Sequence, residues 1–131
     1  MKKIAIVLSV ILSITFFGCK ETSAQQSKLV EPQEMIDVIT SKDVHLVDVR
    51  TPKEFQMGFI ENAINIDFSS PSFKSELEKL DNSKPIVVYC HSGRRSGIST
   101  NTLVEIGFTE IYDLKGGILN WQKKGQKLIK K

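Results

Sequence analysis

Cys90 stands where a nucleophile would be useful. It follows the apolar run Pro85-Ile86-Val87-Val88-Tyr89 and precedes His91-Ser92-Gly93-Arg94-Arg95-Ser96. A continuous apolar run of this kind reads as a strand buried on both faces of a parallel sheet. In open α/β sheets ligands bind beyond the carboxyl ends of the strands, so Cys90 falls at the expected active edge. A tight loop running into a helix presents backbone N–H groups that cradle an anion, and the anionic thiolate is the reactive form of cysteine. Gly93 allows torsions that such a loop requires. Ser92 and Ser96 offer hydroxyl donors, and Arg94 and Arg95 add positive charge for the thiolate or for an anionic substrate. An inert buried cysteine would not call for six polar or glycine residues directly after it.

Around this loop, strand and helix patterns alternate from Leu29 onward. Val44 to Val49 reads as a strand, and Pro52 suits the first turn of a short helix carrying Glu54 and Phe55. Ala63 to Ile66 reads as another strand. Phe73, Leu77 and Leu80 share one face of a helix over 72–80, and Asp81-Asn82-Ser83 is a turn. Arg95 to Ile106 reads as a helix stopped by Gly107. Ile111-Tyr112 is a last short strand, and Gly116-Gly117 leads into a final helix containing Trp121, a core residue. The expectation is one three-layer α/β domain, with a parallel sheet of about five strands and helices on both faces. At 131 residues and 40% hydrophobic composition, the chain has room for one such core.

Three segments resemble the rhodanese family. Cys90 to Ser96 looks like its active-site loop. Leu46-Val47-Asp48-Val49-Arg50 with Glu54 and Phe55 looks like its upstream signature, and Asp113-Leu114-Lys115-Gly116-Gly117-Ile118 with Trp121 like its closing one. They occur in family order, and the resemblance covers about Leu29 to Gln126. It implies that Cys90 takes the outer sulfur of a small anionic donor such as thiosulfate, becomes a persulfide, and passes the sulfur to cyanide or to a small-molecule or protein thiol. It implies no metal or organic cofactor. Asp48 and Arg50 are read as a structural pair at the sheet edge. Whether His91 tunes the loop or contacts substrate stays open. Phe59 and Asn62 depart from the family pattern, which has histidine and glycine there, and put local packing in doubt.

Two other readings compete. Cysteine-dependent phosphatases and arsenate reductases clamp a phosphoryl group with an arginine six positions after the cysteine, where this chain has Ser96. A binding or redox module that keeps the fold without turnover is the other, and the intact Cys90 with its two arginines argues against it. With only His45 and His91 in the chain, and Cys90 beside His91, no metal-ligand spacing is present. His45 lies in a strand pattern and is read as structural.

The N-terminus carries an address. Met1-Lys2-Lys3 followed by the apolar run Ile4 to Phe17 has the form of a secretory signal, and the run falls short of the ~20 residues that span a bilayer. Phe16-Phe17-Gly18-Cys19 resembles the lipobox of bacterial lipoproteins, which implies a signal peptide over 1–18, acylated Cys19, a polar tether over 19–28 and the domain over 29–131. Cleavage after Ala24 is the competing reading. Either way the protein is exported, and the lipobox reading places it on the cell envelope with a membrane anchor. Cys19 is then acylated or removed, rather than paired with Cys90, and an unpaired thiol in an oxidising compartment points again to a used Cys90. The formal charge is +3 and falls to about +1 without Lys2 and Lys3. Lys123, Lys124, Lys127, Lys130 and Lys131 read as a solvated helix end. No aromatic residues interleave with the lysines, so nucleic acid is not an expected partner. No oligomer signal is visible, and a monomer is expected.

Overall fold

A computed structural model describes residues 27–131; the signal segment, Cys19 and the tether up to residue 26 lie outside the described residues. The elements run β1 (Lys28–Val30), α1 (Pro32–Ser41), β2 (His45–Asp48), α2 (Pro52–Gln56), β3 (Ile64–Asn65), α3 (Phe73–Leu77), β4 (Ile86–Tyr89), α4 (Arg94–Glu105), β5 (Ile111–Leu114) and α5 (Gly117–Lys123). All five strands are parallel, in the order β1-β5-β4-β2-β3. Lys28, read as the last tether residue, is the first residue of β1 and pairs with Tyr112.

The central position of β4 explains its composition. Strand side chains alternate between faces, so Val87 and Tyr89 enter one core while Ile86, Val88 and Cys90 enter the other. The first core is closed by α1, α5 and Phe55 of α2, with Met35, Ile118 and Trp121 packed onto the sheet. The second is closed by α3 and α4 through Phe73, Leu77 and Leu103. Every β4 residue is inaccessible to solvent, and burying each such aliphatic side chain stabilises the fold by roughly 1.5–3 kcal/mol.

Helix α1 is an element beyond those the sequence patterns specify, although its signals are local. Pro32 occupies the first turn, Glu31 and Glu34 form a capping box, and Met35 is fully buried. The same box recurs at α2, where Thr51 and Glu54 cap each other behind Pro52. Helix α3 is shorter than its apolar spacing suggests.

The lysine-rich tail does not prolong α5. It turns back, and Ile129 and Phe59 exchange backbone hydrogen bonds of 2.9 Å in each direction. The Trp121 indole N–H donates to the Lys127 carbonyl at 2.9 Å. Phe59 is buried and stacks on Phe55 at 4.1 Å, so an aromatic pair fills the place where the resemblance has histidine. Asn62, standing where glycine is usual, has φ of 68°, the one positive φ of a non-glycine among the described residues. Asparagine tolerates that conformation better than most residues. His45 Nε2 donates to the Asp81 carbonyl at 3.0 Å, and the ring meets Phe108 edge-on.

Candidate active site

β4 ends at Tyr89, and Cys90 is the next residue, its side chain directed into the second core, on the α4 side of the sheet. The Gly93 N–H donates to Cys90 Sγ at 3.1 Å. Gly93 caps α4 with φ of 103°, a torsion that glycine adopts freely. Among the described residues, the N–H groups of His91, Ser92, Arg94, Arg95 and Ser96 meet no backbone acceptor. Those of Arg94, Arg95 and Ser96 are the free donors that open any helix. Thiol and unclaimed donors therefore share one loop at the positive end of a twelve-residue helix.

Helix α5 orients that loop. The Ile118 N–H donates to the Cys90 carbonyl at 2.9 Å, and the Leu119 N–H to the His91 carbonyl at 3.1 Å. With these carbonyls drawn onto α5, the loop's donors are left for a ligand. The approach needs glycine at 117. A Cβ there would lie 2.6 Å from the carbonyl oxygens of both Cys90 and His91, and φ is already +60°. Gly117→Ala is expected to cost about 2–4 kcal/mol, from left-handed strain plus overpacking. A loop displaced by about 1 Å should slow chemistry at Cys90 by roughly 10²-fold. Thermal melting and single-turnover rates measure both, and wild-type values in both would show that this contact does not shape the loop.

The two arginines separate. Arg94 is exposed and forms no ion pair among the described residues. Arg95 is bidentate to Glu54 at 2.8 Å on each oxygen, which ties α4 to the α2 cap. The Arg95 guanidinium beside Glu54 holds its carboxyl down at about 2, so the link persists through the neutral and mildly acidic range. Ser96 is buried, and its hydroxyl donates to the Gly93 carbonyl at 3.3 Å. Ser92 and His91 are exposed at the rim.

Asp48 and Arg50 lie beneath this edge, on the first-core face. Arg50 Nε donates to both Asp48 oxygens at 3.0 Å, and Nη2 reaches Asp48 Oδ2 and the Gly58 carbonyl at 2.7 Å each. The guanidinium sits 5.9 Å from the Tyr89 ring centroid. The Tyr89 hydroxyl accepts the Ile60 N–H at 3.0 Å. Burial, the largest cause, pushes that hydroxyl well above its ordinary range.

One titratable group carries no signal in the sequence that marks it as buried. Asp113, within the closing signature, is buried against α4, with Oδ2 3.6 Å from where a Gly97 Cβ would stand. Its Oδ1 has no hydrogen-bond partner. Desolvation pushes the carboxyl up to about 6 from an ordinary 3.8. A carboxyl raised on folding lends stability below pH 3.8 and loses it as pH climbs through about 6. Asp113→Asn should therefore stabilise the domain at pH 8 by about 2 kcal/mol, with the difference vanishing near pH 4. Melting curves across that range test it, and a pH-independent difference would refute the assignment to Asp113.

A profile of the rhodanese-like domain family matches residues 31–124. The chain belongs to that family. A tRNA uridine(34) hydroxylase of Ehrlichia chaffeensis is 36% identical over 103 residues, covering 74% of this chain and 38% of that protein. The uncharacterized protein YqhL of Bacillus subtilis is 41% identical over 83 residues, covering 63% of this chain and 64% of YqhL. The chain thus spans about a third to two thirds of these curated relatives. Among solved structures, a rhodanese-related protein of Thermoplasma volcanium superposes with a TM-score of 0.69 at 27% identity, covering 78% of this chain and 97% of that one. A rhodanese-like domain protein of Staphylococcus aureus gives 0.68 at 28% identity, covering 79% and 98%. The single α/β domain with a five-stranded parallel sheet is the fold these neighbours share.

Proposed function

We propose that the protein is a sulfurtransferase that carries a sulfane sulfur on Cys90. The observation that carries this reading is Cys90 Sγ on the Gly93 N–H, inside a loop whose carbonyls are turned onto α5. Such a loop suits both a thiolate and the dianion thiosulfate. The Cys90 thiolate attacks the outer sulfur of thiosulfate. That S–S bond breaks, sulfite leaves with the electron pair, and a Cys90 persulfide anion remains among the loop donors. An acceptor thiolate or cyanide then attacks the terminal sulfur, and Cys90 leaves as the thiolate. Splitting the transfer in this way is covalent catalysis.

Burial shapes the choice of donor. Cys90 is 1% exposed, so a donor must offer a slender terminal sulfur. The S–S bond then carries the transferred atom about 2 Å outward, where an acceptor reaches it. In this reading the donors of residues 91–96 hold the anion, Arg94 attracts it, and Arg95 fixes the loop through Glu54. Asp48 and Arg50 support the edge, and His91 stands at the mouth. With Ser96 at the position where a phosphatase carries its arginine, and the neighbouring Arg95 held by Glu54, the loop lacks that phosphoryl clamp. For the tRNA-directed reading that the Ehrlichia relative's name raises, no Phe, Tyr or Trp is exposed among the described residues to stack a base. From the sequence of residues 1–28, we further read the protein as exported and held to the cell envelope through Cys19.

Intact-mass measurement after mixing with thiosulfate tests the activity. The expected result is a gain of one sulfur atom, lost on adding cyanide or dithiothreitol. No gain with thiosulfate or other sulfane donors, from a protein whose Cys90 still reacts with a small alkylating agent, would overturn it and favour a binding or redox module.

A further inference from the structure

Beside the active loop lies a shallow depression of about 530 Å³. Ser92, Lys115, Gly116, Leu119, Lys123 and Lys124 line it. Its position is fixed by the backbone that shapes the loop, since the Leu119 N–H holds the His91 carbonyl at 3.1 Å. The other apolar residues of α5 face the core, with Ile118 at 2% and Trp121 at 5% exposure, whereas Leu119 is 48% exposed. The one carboxylate in the lining, Glu31, is already engaged: Lys115 Nζ lies 2.8 Å from one oxygen and Asn120 donates to the other at 3.2 Å. Lys123 and Lys124 are exposed and make no ion pair among the described residues.

We propose that this depression is the acceptor subsite, and that it takes a small thiol whose body carries two or more carboxylates. The inference rests on the Cys90 persulfide reading and names the acceptor class for it. The volume falls within the range of small-molecule sites. The lysines supply charge that cyanide or a neutral thiol would not need, and the half-exposed Leu119 gives an apolar contact for a short carbon chain. A thiol extending from a body seated there crosses the His91–Ser92 rim to the outer sulfur of the persulfide. Its thiolate attacks that sulfur, the persulfide S–S bond breaks with its electron pair going to Cys90, and the acceptor departs as its own persulfide. A flat lipid surface does not follow a depression, which sets this site apart from a membrane-facing lysine patch.

The test uses protein loaded with thiosulfate and desalted, so that the rate of loading does not enter. Discharge is timed with two peptides matched in length, acetyl-Cys-Gly-Asp-Asp-amide and acetyl-Cys-Gly-Asn-Asn-amide, compared at equal thiolate concentration. The acidic peptide should discharge Cys90 about tenfold faster at low salt and show saturation, with the ratio falling toward one in ~0.5 M salt. Lys123→Glu/Lys124→Glu should collapse the ratio to one or below. Lys79→Glu, beyond α3 on the opposite face of the sheet, should leave it unchanged. A wild-type ratio of one, or a ratio that survives the charge reversal, overturns the subsite. Binding to phosphatidylglycerol vesicles that depends on the two lysines, with a peptide ratio of one, also overturns it and assigns them to lipid. Failure to load at all strikes the sulfur-transfer reading instead, so the two failures are distinct.

Discussion

Cys90→Ser should abolish sulfur loading and lower thiocyanate formation by at least about 10³-fold, with the domain still folded. The reason is chemical before it is structural. The transferred sulfur has to be held by a bond that forms and breaks at neutral pH, and a sulfur–sulfur bond does this where a serine oxygen does not. The replacement changes little else. Serine Oγ can still accept the Gly93 N–H that now reaches Sγ, and the Cys90 carbonyl stays on Ile118. Its cost is that of a hydroxyl placed at the buried edge of the second core, where Cys90 is 1% exposed, about 1 kcal/mol, or a few degrees in Tm. Intact mass, thiocyanate assay and melting curve together decide the matter. A serine variant that melts like wild type and still turns over would remove Cys90 from the chemistry.

Arg50→Leu should have the largest effect on stability, about 3–5 kcal/mol. Asp48 is fully buried and Arg50 is 5% exposed, so solvent cannot take over when one partner is lost. The substitution strands a carboxylate in the interior and takes the donor from the Gly58 carbonyl, which Nη2 reaches at 2.7 Å. Set against the 5–15 kcal/mol that holds a typical domain together, this should lower Tm by at least about 15 °C. Asp48→Leu/Arg50→Leu should recover part of the loss, because removing both charges leaves no unpaired ion. If Arg50→Leu instead melted normally and raised the KM for thiosulfate, Arg50 would be a substrate contact and not a support.

Several parts of the site were legible because their signals are local. The unbroken apolar run of β4 announces a central strand, and period-two alternation then splits its side chains between two cores. A glycine at 93 signals a torsional need, and φ of 103° is what the loop adopts. Asn62 stands where the resemblance has glycine, and its positive φ shows why a glycine suits that turn. Other parts were not legible. Arg94 and Arg95 look alike in the chain, yet only Arg95 meets Glu54, 41 positions away. Which of two adjacent arginines is held and which is free depends on where α2 lands, and no local pattern encodes that.

By itself, then, the sequence determined most of the element types, the α/β class, the candidate nucleophile and the loop that follows it. Those depend on hydrophobic period, turn chemistry and the reactivity of single residues, all set within a few positions of the chain. Tertiary structure alone decided the strand order β1-β5-β4-β2-β3 and the return of the tail to Phe59. It also decided the burial of Asp113 and the use of α5 to draw the Cys90 and His91 carbonyls away from the ligand side. Each of these joins groups far apart in sequence, and its energy exists only once packing has brought them to van der Waals or hydrogen-bonding distance.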